Sequence, residues 1–426
     1  MANLVHQEEE KSVRMIKKIQ SHQLRIGMYV HALSQNWAAH PFLRNRFRIT
    51  SSGEIQKIIE AGITELDIDT VKGLNAVEGT VCEPVIPVPV HKEATAVKAV
   101  SAIAAGAVPF TEEVVRARLL KDQALHLVRD MMQDARLGKI IALERAQPMV
   151  QEMVASITRN ASALLALRQI KDKDEYTFLH SVNVCALLAA FCHSQGMRPQ
   201  LTYQAALGGL VHDIGKSLIP DTILNKPGRL TEAEFDVIKR HPQDGHAILS
   251  AIPGIGPTPL EITLRHHERL DGNGYPDGLR GDAVSELAQM AAIVDVYDAI
   301  TAERCYHKAM SPANALGKLH EWSTTQYSRR LVQAFIRCIG IYPSGSLVLL
   351  QSGRLGVVTQ QHQENLLTPT VNVFFSTRSN TYIPPQTVDL SKSSGISKGD
   401  KILRAESLER WGFDPLRFLE ISEIYK

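Results

Sequence analysis

TFLHSVNV, residues 177–184, and GLVHDIGK, residues 209–216, are the stretches from which the fold is read. Phe178, Leu179, Val182 and Val184 surround His180 as the core-facing residues of a helix do. In the second stretch His212 and Asp213 follow directly on an apolar run. Helical spacing continues outward from both, from Thr111 to about Gln333, broken at Ile252-Pro253-Gly254 and in the Gly-rich run from Asp271 to Gly281. Thr111, followed by Glu112 and Glu113, has the character of a helix N-cap with acidic residues in the positive first turn. A central all-α domain is expected.

The flanks read differently. LRIGMYV at 24–30 reads as a strand, Ser51 to Ala61 carries helical spacing at Ile55, Ile58 and Ile59, and Glu65 to Asp69 alternates as a half-buried strand does. From Cys82 to Phe110, closely spaced prolines and alanines make a linker, because proline blocks both helix and sheet interiors. After Tyr342-Pro343, GSLVLLQSGRLGVVTQ and TVNVFFST read as short strands. The chain is thus expected to be multidomain and mainly α. Its parts are an α/β module over 1–80, a Pro/Ala-rich linker over 81–110, a helical region over 111–340 and a small β-rich module over 341–426.

With 426 residues there is room for two or three domains. Forty-seven basic and 45 acidic residues leave a net charge of +2, which argues against a protein that grips long nucleic acid by its phosphates. A small anionic substrate stays open. Five cysteines, odd in number and without a CxxC pair, argue against both a disulfide framework and a zinc ribbon. They read as reduced thiols, so a cytoplasmic location is expected. The N-terminus lacks a signal-type apolar core, and the apolar run from Ala99 to Phe110 is shorter than the ~18 residues that mark a membrane span.

Sixteen histidines are unremarkable in number, but nine lie between His180 and His320, among patterned aspartates. Five contexts stand out: TFLHSVNV, GLVHDIGK, KRHPQDGH with His241, RHHERLDGNGYP with His266 and His267, and VDVYDA with Asp295. Taken singly, each histidine is more often a surface or satisfied core residue; His241 alone reads as the end of a helix opened by the Thr231/Glu234 capping box and stopped by Pro242. Five contexts together reverse that balance. Imidazole and carboxylate without thiolate suit iron or manganese better than structural zinc. A carboxylate next to a histidine, as in His212-Asp213, can bridge two ions, and such a pair activates water and clamps a phosphoryl group. Lys216, one turn beyond Asp213, is then placed to meet a phosphate.

These residues closely resemble the HD-GYP family, a branch of the HD-domain metal-dependent phosphohydrolases that hydrolyse cyclic di-GMP and, in some members, cyclic GMP-AMP. The resemblance spans about Leu165 to Gln333. It rests on the His212-Asp213 pair, on HHERLDGNGYP at 266–276 with Gly274-Tyr275-Pro276, and on DVYDAITAER at 295–304. It implies His180, His212, Asp213, His241, His266, His267 and Asp295 as metal ligands and Asp213, Lys216 and Asp298 as catalytic residues. Tyr275, Arg304 and Lys308 fall on the substrate side, with Asp298 beside them. A guanidinium and a phenol suit phosphate and base.

Two departures matter. Members with a third metal have a glutamate four residues before the first histidine, where this chain has Tyr176, with Glu175 one position off. Two divalent ions are therefore expected. Where the family often has a basic residue three after the arginine, His307 followed by Lys308 stands here. The segments before and after the helical region resemble modules common in bacterial members, for which regulation, homodimerisation or contact with a signalling partner are the generic roles. The expected reaction opens cyclic di-GMP to linear pGpG and onward to GMP. The competing readings are preference for 3′,3′-cyclic GMP-AMP and a non-catalytic nucleotide-sensing module.

Overall fold

Gly27, with φ +98°, bends the chain just before the first unit's central strand and donates its N–H to the Ile49 carbonyl at 2.8 Å. The computed structural model describes residues 16–33, 47–49, 52–60, 65–69, 108–169, 176–302, 309–362, 364–392, 399–413 and 418–419. The chain divides into two units, Met1–Lys98 and Ala99–Lys426.

The first unit contains β1 (Ile16–Gln20), β2 (Tyr29–Leu33), β3 (Phe47–Arg48), α1 (Ser52–Glu60) and β4 (Glu65–Asp69). The strands form one antiparallel sheet in the order β1-β4-β2-β3. Leu66 and Ile68, alternating with acidic neighbours, bury one face of β4 against Val30, Met28 and Ile58. The helix and the last strand lie where the sequence places them. The strand expected at 24–30 begins only at Tyr29, because the turn at Gly27 uses up its first half. The expected linker falls outside the described residues up to Ala107.

The second unit opens with a hairpin of α2 (Phe110–Arg136) and α3 (Leu143–Ala166). Pro109, and not Thr111, occupies the N-cap of α2: its carbonyl accepts from the N–H groups of Glu112 and Glu113. Between the two helices, Arg159 donates two bonds of 2.8 Å to the fully buried Glu113 carboxylate. Next come α4 (Tyr176–Ser194) and α5 (Pro199–Val211), a 3-10 turn at Ile214–Leu218, and α6 (Asp221–Leu224), α7 (Glu232–Ile238), α8 (His241–Ser250) and α9 (Pro257–Arg265). The helical part closes with α10 (Glu286–Thr301), α11 (Pro312–Trp322) and α12 (Arg329–Ile339). α4 is buried on every side from Leu179 to Cys192, which explains its all-round apolar sequence. Thr177–Ser194 is long and apolar enough to cross a membrane by length and composition, but 78% of it is buried inside the protein.

The chain ends in β5 (Leu347–Leu350), β6 (Arg354–Gln360), β7 (Thr370–Ser376), β8 (Thr381–Asp389) and β9 (Ile402–Glu406), followed by the short α13 (Leu408–Trp411). These strands form an antiparallel sheet in the order β8-β7-β6-β5-β9. Period-2 alternation sends Leu347, Leu349, Leu355 and Val357 into the helical core, and Val348, Leu350 and Val358 into a second apolar cluster on the other face. Each such side chain contributes about 1.5–3 kcal/mol when fully buried. The sheet is therefore an integral layer of the second unit, where the sequence suggested a separate module. The architecture is mainly helical, with a small sheet in each unit.

Candidate metal centre

Close backbone approaches bring the patterned residues together. At Gly215, in the 3-10 turn after Asp213, a Cβ would overlap the His241 carbonyl and crowd the Gly245 nitrogen, so only glycine lets that turn lie against α8. His180 sits in the second turn of α4, His212 caps α5, His266 caps α9 with His267 behind it, and Asp295 lies within α10. His241 differs from its sequence reading. The capping box at Thr231 and Glu234 is present, but that helix ends at Ile238. His241 instead opens α8, with Pro242 in the first turn, where a missing N–H costs nothing.

The hydrogen bonds fix which ring nitrogen faces the centre. His212 Nδ1 donates to the Gly209 carbonyl at 2.8 Å, His241 Nδ1 to Ile238 at 2.7 Å and His266 Nδ1 to Thr263 at 2.9 Å. A carbonyl only accepts, so the Nε2 of each ring, when that ring is neutral, presents a lone pair. The Nε2 atoms of His241 and His266 lie 3.3 Å apart. His212 Nε2 and Asp213 Oδ1 are buried and without a hydrogen-bond partner. Such orphaned acceptors fit a site for cations.

Asp213 stands between two groups. Its Oδ2 is 3.3 Å from His212 Nε2 and 3.7 Å from His180 Nε2, while Oδ1 is 3.3 Å from His241 Nε2 and 3.8 Å from His266 Nε2. Asp295 Oδ1 lies 2.9 Å from His180 Nε2, and its Oδ2 lies 3.7 Å from His267 Nδ1. Ligand atoms of His180, His212 and Asp213 fall within 4.8 Å of one another, as do those of His241, His266 and His267. All seven sequence candidates thus converge, in two sets that could each hold an ion. Lys216, eclipsed with Asp213 across the three-residue period of the 3-10 turn, donates to Asp213 Oδ2 at 2.6 Å and remains one-fifth exposed.

His212 in the first set, and His266 and His267 in the second, have opposite affinities for protons. Burial disfavours charge on His212, but Asp213 and Asp295 outweigh it and push its pKa up to about 10. Burial would raise the Asp213 carboxyl, yet His212 and Lys216 hold it well below the usual range. His266 is pulled down to about 3 by burial and by His212 and His241 beside it, and His267 falls well below its usual value for similar reasons. Burial and the nearby Asp295 and Asp213 push the Tyr275 hydroxyl up, so it remains a neutral donor. Its ring lies 4.6 Å from that of His267.

The sequence reading puts Asp298 beside the substrate, and the structure puts it against His180. It is 1% exposed and stands behind His180, whose Nδ1 donates to its Oδ2 at 2.8 Å; its Oδ1 accepts from Arg168 at 3.3 Å and Asn183 at 3.2 Å. These contacts suit a residue that orients the His180 ring. Arg168 is held in turn by Thr301 at 2.8 Å and by the Tyr297 hydroxyl at 3.2 Å. Arg304 and Lys308 lie outside the described residues, as does Glu175. Tyr176 opens α4 one turn before His180. Sequence reasoning missed Glu268, a 2% exposed carboxylate that accepts the N–H groups of Asp277, Gly278 and Leu279 at 2.7, 3.1 and 2.9 Å. It thereby fixes the loop that carries Tyr275. The available signal was an acidic residue directly ahead of a Gly-rich loop.

Comparison with known proteins agrees with this geometry. Residues 149–331 match the family described as HD domain, and residues 16–146 match one described as Domain of unknown function (DUF3391). The boundary between them falls inside α3. A cyclic di-GMP phosphodiesterase of Pseudomonas aeruginosa is 42% identical over 400 residues, which cover 94% of each chain. The cyclic di-GMP phosphodiesterase response regulator RpfG of Xanthomonas campestris is 34% identical over 56% of this chain and 63% of its own. The 3′3′-cGAMP-specific phosphodiesterase 1 of Vibrio cholerae is 36% identical over 41% of each. Likeness over nearly the whole length of one relative, and an HD domain matched across every helix that carries a histidine of the centre, lead to one placement: the chain belongs to the HD-GYP branch of the HD-domain family.

Proposed function

We propose that this chain is a two-metal phosphodiesterase that hydrolyses cyclic di-GMP to linear pGpG and then to GMP. The observation that carries the reading is Asp213, buried between two sets of imidazole lone pairs with one oxygen toward each. In this reading His180, His212 and Asp295 hold one divalent ion, His241, His266 and His267 hold the other, and Asp213 bridges them. Iron or manganese suits the thiolate-free donor set. Such ions, when bound, supply Lewis acidity that lowers the pKa of water and offsets phosphate charge.

The chain's own residues do the rest. Asp298 keeps Nδ1 of His180 protonated, so that Nε2 faces the centre. Lys216, at the exposed margin of Asp213, offers an ammonium to the phosphate as its charge grows. Tyr275, fixed by Glu268 through the loop, offers a ring face and a neutral hydroxyl to the nucleotide. The family resemblance assigns Arg304 and Lys308 to the phosphates as well. Hydrolysis adds water across a P–O3′ bond, leaving a 5′-phosphate and a free 3′-hydroxyl. Buried thiols at Cys185 and Cys192 suit a reducing, cytoplasmic setting.

The test is turnover of purified cyclic di-GMP and 3′,3′-cyclic GMP-AMP by protein reconstituted anaerobically with iron or manganese, with metal analysis alongside. Two ions per chain and faster turnover of cyclic di-GMP are expected. Faster turnover of the mixed dinucleotide would move the substrate assignment, and binding of either without hydrolysis would make the chain a sensor.

A further inference from the structure

We propose a second anion site in this chain, away from the histidines: a cavity at the junction of the helices and the C-terminal sheet, built to take a phosphate-class oxyanion. Its volume is about 140 Å³, and Arg168, Arg337, Ser162, Ser344, Tyr297 and Gln361 supply its polar lining. A single water needs only roughly 10–15 Å³ of such space, so a tetrahedral anion has room. No carboxylate lines it among the described residues.

Donor inventory carries the argument. Arg168 has five N–H groups. Asp298 and Thr301 take both on Nη1, and the Tyr297 hydroxyl takes one on Nη2. That leaves Nε–H and one Nη2–H without a partner among the described residues, on a side chain only 8% exposed. Arg168 lines the cavity, so both donors are available to an acceptor that enters it. Arg337, an exposed residue in the last turn of α12, lines the same cavity and has no hydrogen bond or ion pair among the described residues. Two cationic groups facing one void repel each other, and an oxyanion between them turns that repulsion into two attractions. Guanidinium geometry matches phosphate oxygens in particular. The hydroxyls of Ser162 and Ser344 add neutral donors. An anion here would share Arg168 with Asp298, and so with the side chain that orients His180.

The experiment is calorimetric titration of the full-length, metal-loaded protein with inorganic phosphate and, separately, with 5′-GMP, at about 0.15 M salt so that diffuse surface attraction is screened. Wild type, Arg337→Ala and Asp213→Ala are compared. The expected result is that Arg337→Ala weakens phosphate binding at least tenfold while its turnover in phosphate-free buffer stays within twofold of wild type. Asp213→Ala should keep the binding. Whichever of the two probes binds more tightly identifies the source, free phosphate or a phosphomonoester. Unchanged phosphate affinity in Arg337→Ala, or complete loss of it in Asp213→Ala, would overturn the proposal, the second because the metal centre would then be the whole of the binding site.

Discussion

Replacing Asp298 with asparagine tests the division between residues that hold metal and residues that hold those residues. Every neighbour of this carboxylate is a donor: His180 Nδ1 at 2.8 Å, Arg168 at 3.3 Å and Asn183 at 3.2 Å. Burial alone would raise its pKa, but His180 and Arg168 keep it below the usual range, so it is an anion that only accepts. An amide of the same shape must turn its NH2 toward at least one of those donors. If it faces His180, the tautomer that presents Nε2 is lost. If it faces Arg168, a guanidinium on a side chain 8% exposed is left beside another donor. Loss of a carboxylate behind a metal-binding histidine costs 10- to 100-fold in metal affinity, or about 1.4–2.7 kcal/mol. Leaving Arg168 uncompensated should destabilise the fold by about 3 kcal/mol. Chelator competition reads the first effect and urea unfolding the second. Because Asp298 is placed behind His180, kcat should return most of the way to wild type at saturating metal. Wild-type metal affinity with a lowered kcat would refute the reasoning and return Asp298 to the substrate side.

Three further perturbations check other parts of the site. Asp213→Ala removes the one carboxylate between the two sets, and should abolish turnover and release metal while circular dichroism keeps the helical signal; normal turnover at full metal content would end the bridging assignment. Glu268→Gln weakens three charge-assisted bonds to the Tyr275 loop, and should raise KM more than it changes metal content, whereas loss of metal with an unchanged KM would show that the loop does not carry substrate contacts. Glu113→Gln tests the α2–α3 clasp. Burial pushes the Glu113 carboxyl up, but Arg159 outweighs it and the net shift is down from 4.5. A depressed folded-state pKa gives stability that is present above the unfolded value and lost as pH falls through the folded one. Wild type should therefore exceed the mutant by about 2 kcal/mol near neutral pH. The gap should close in acid, and a gap constant down to strongly acid pH would contradict the assignment.

What could be read from the sequence was whatever sits in a short pattern. His212 with Asp213, His266 with His267, and Asp295 announce themselves because their chemistry is local to a few residues. Asp298 was misplaced for a physical reason. Three residues after Asp295 on one helix, it shares roughly the same face, and spacing alone does not say that a ring from another helix lies between the two. That ring is His180, which meets Asp295 through Nε2 and Asp298 through Nδ1. Arg168 gave no signal, since its partners are about 130 residues away in the chain. The C-terminal strands were legible from their alternation, but not that both of their faces are covered, because Leu347 and Val348 look equally apolar whichever side is exposed. At the N-terminus the apolar run through Met28 outweighed the positive φ at Gly27, so a turn read as a strand.

The seven ligand candidates also explain one another's electrostatics. On one side of Asp213, His180 and His212 sit among carboxylates that favour protons on them; on the other, burial and the neighbouring rings disfavour protons on His266 and His267. A single proton type cannot satisfy both. Protons can occupy the first set; between His241 Nε2 and His266 Nε2, with both Nδ1 atoms already donating to backbone, a metal ion could accept both lone pairs. The backbone carbonyls of Ile238 and Thr263 therefore act on the chemistry of the centre: by holding Nδ1 of each ring, they turn Nε2 toward the place a metal would take. Asp213, with one oxygen toward each set, ties the loading of the two together, which is why its loss should empty more than one position.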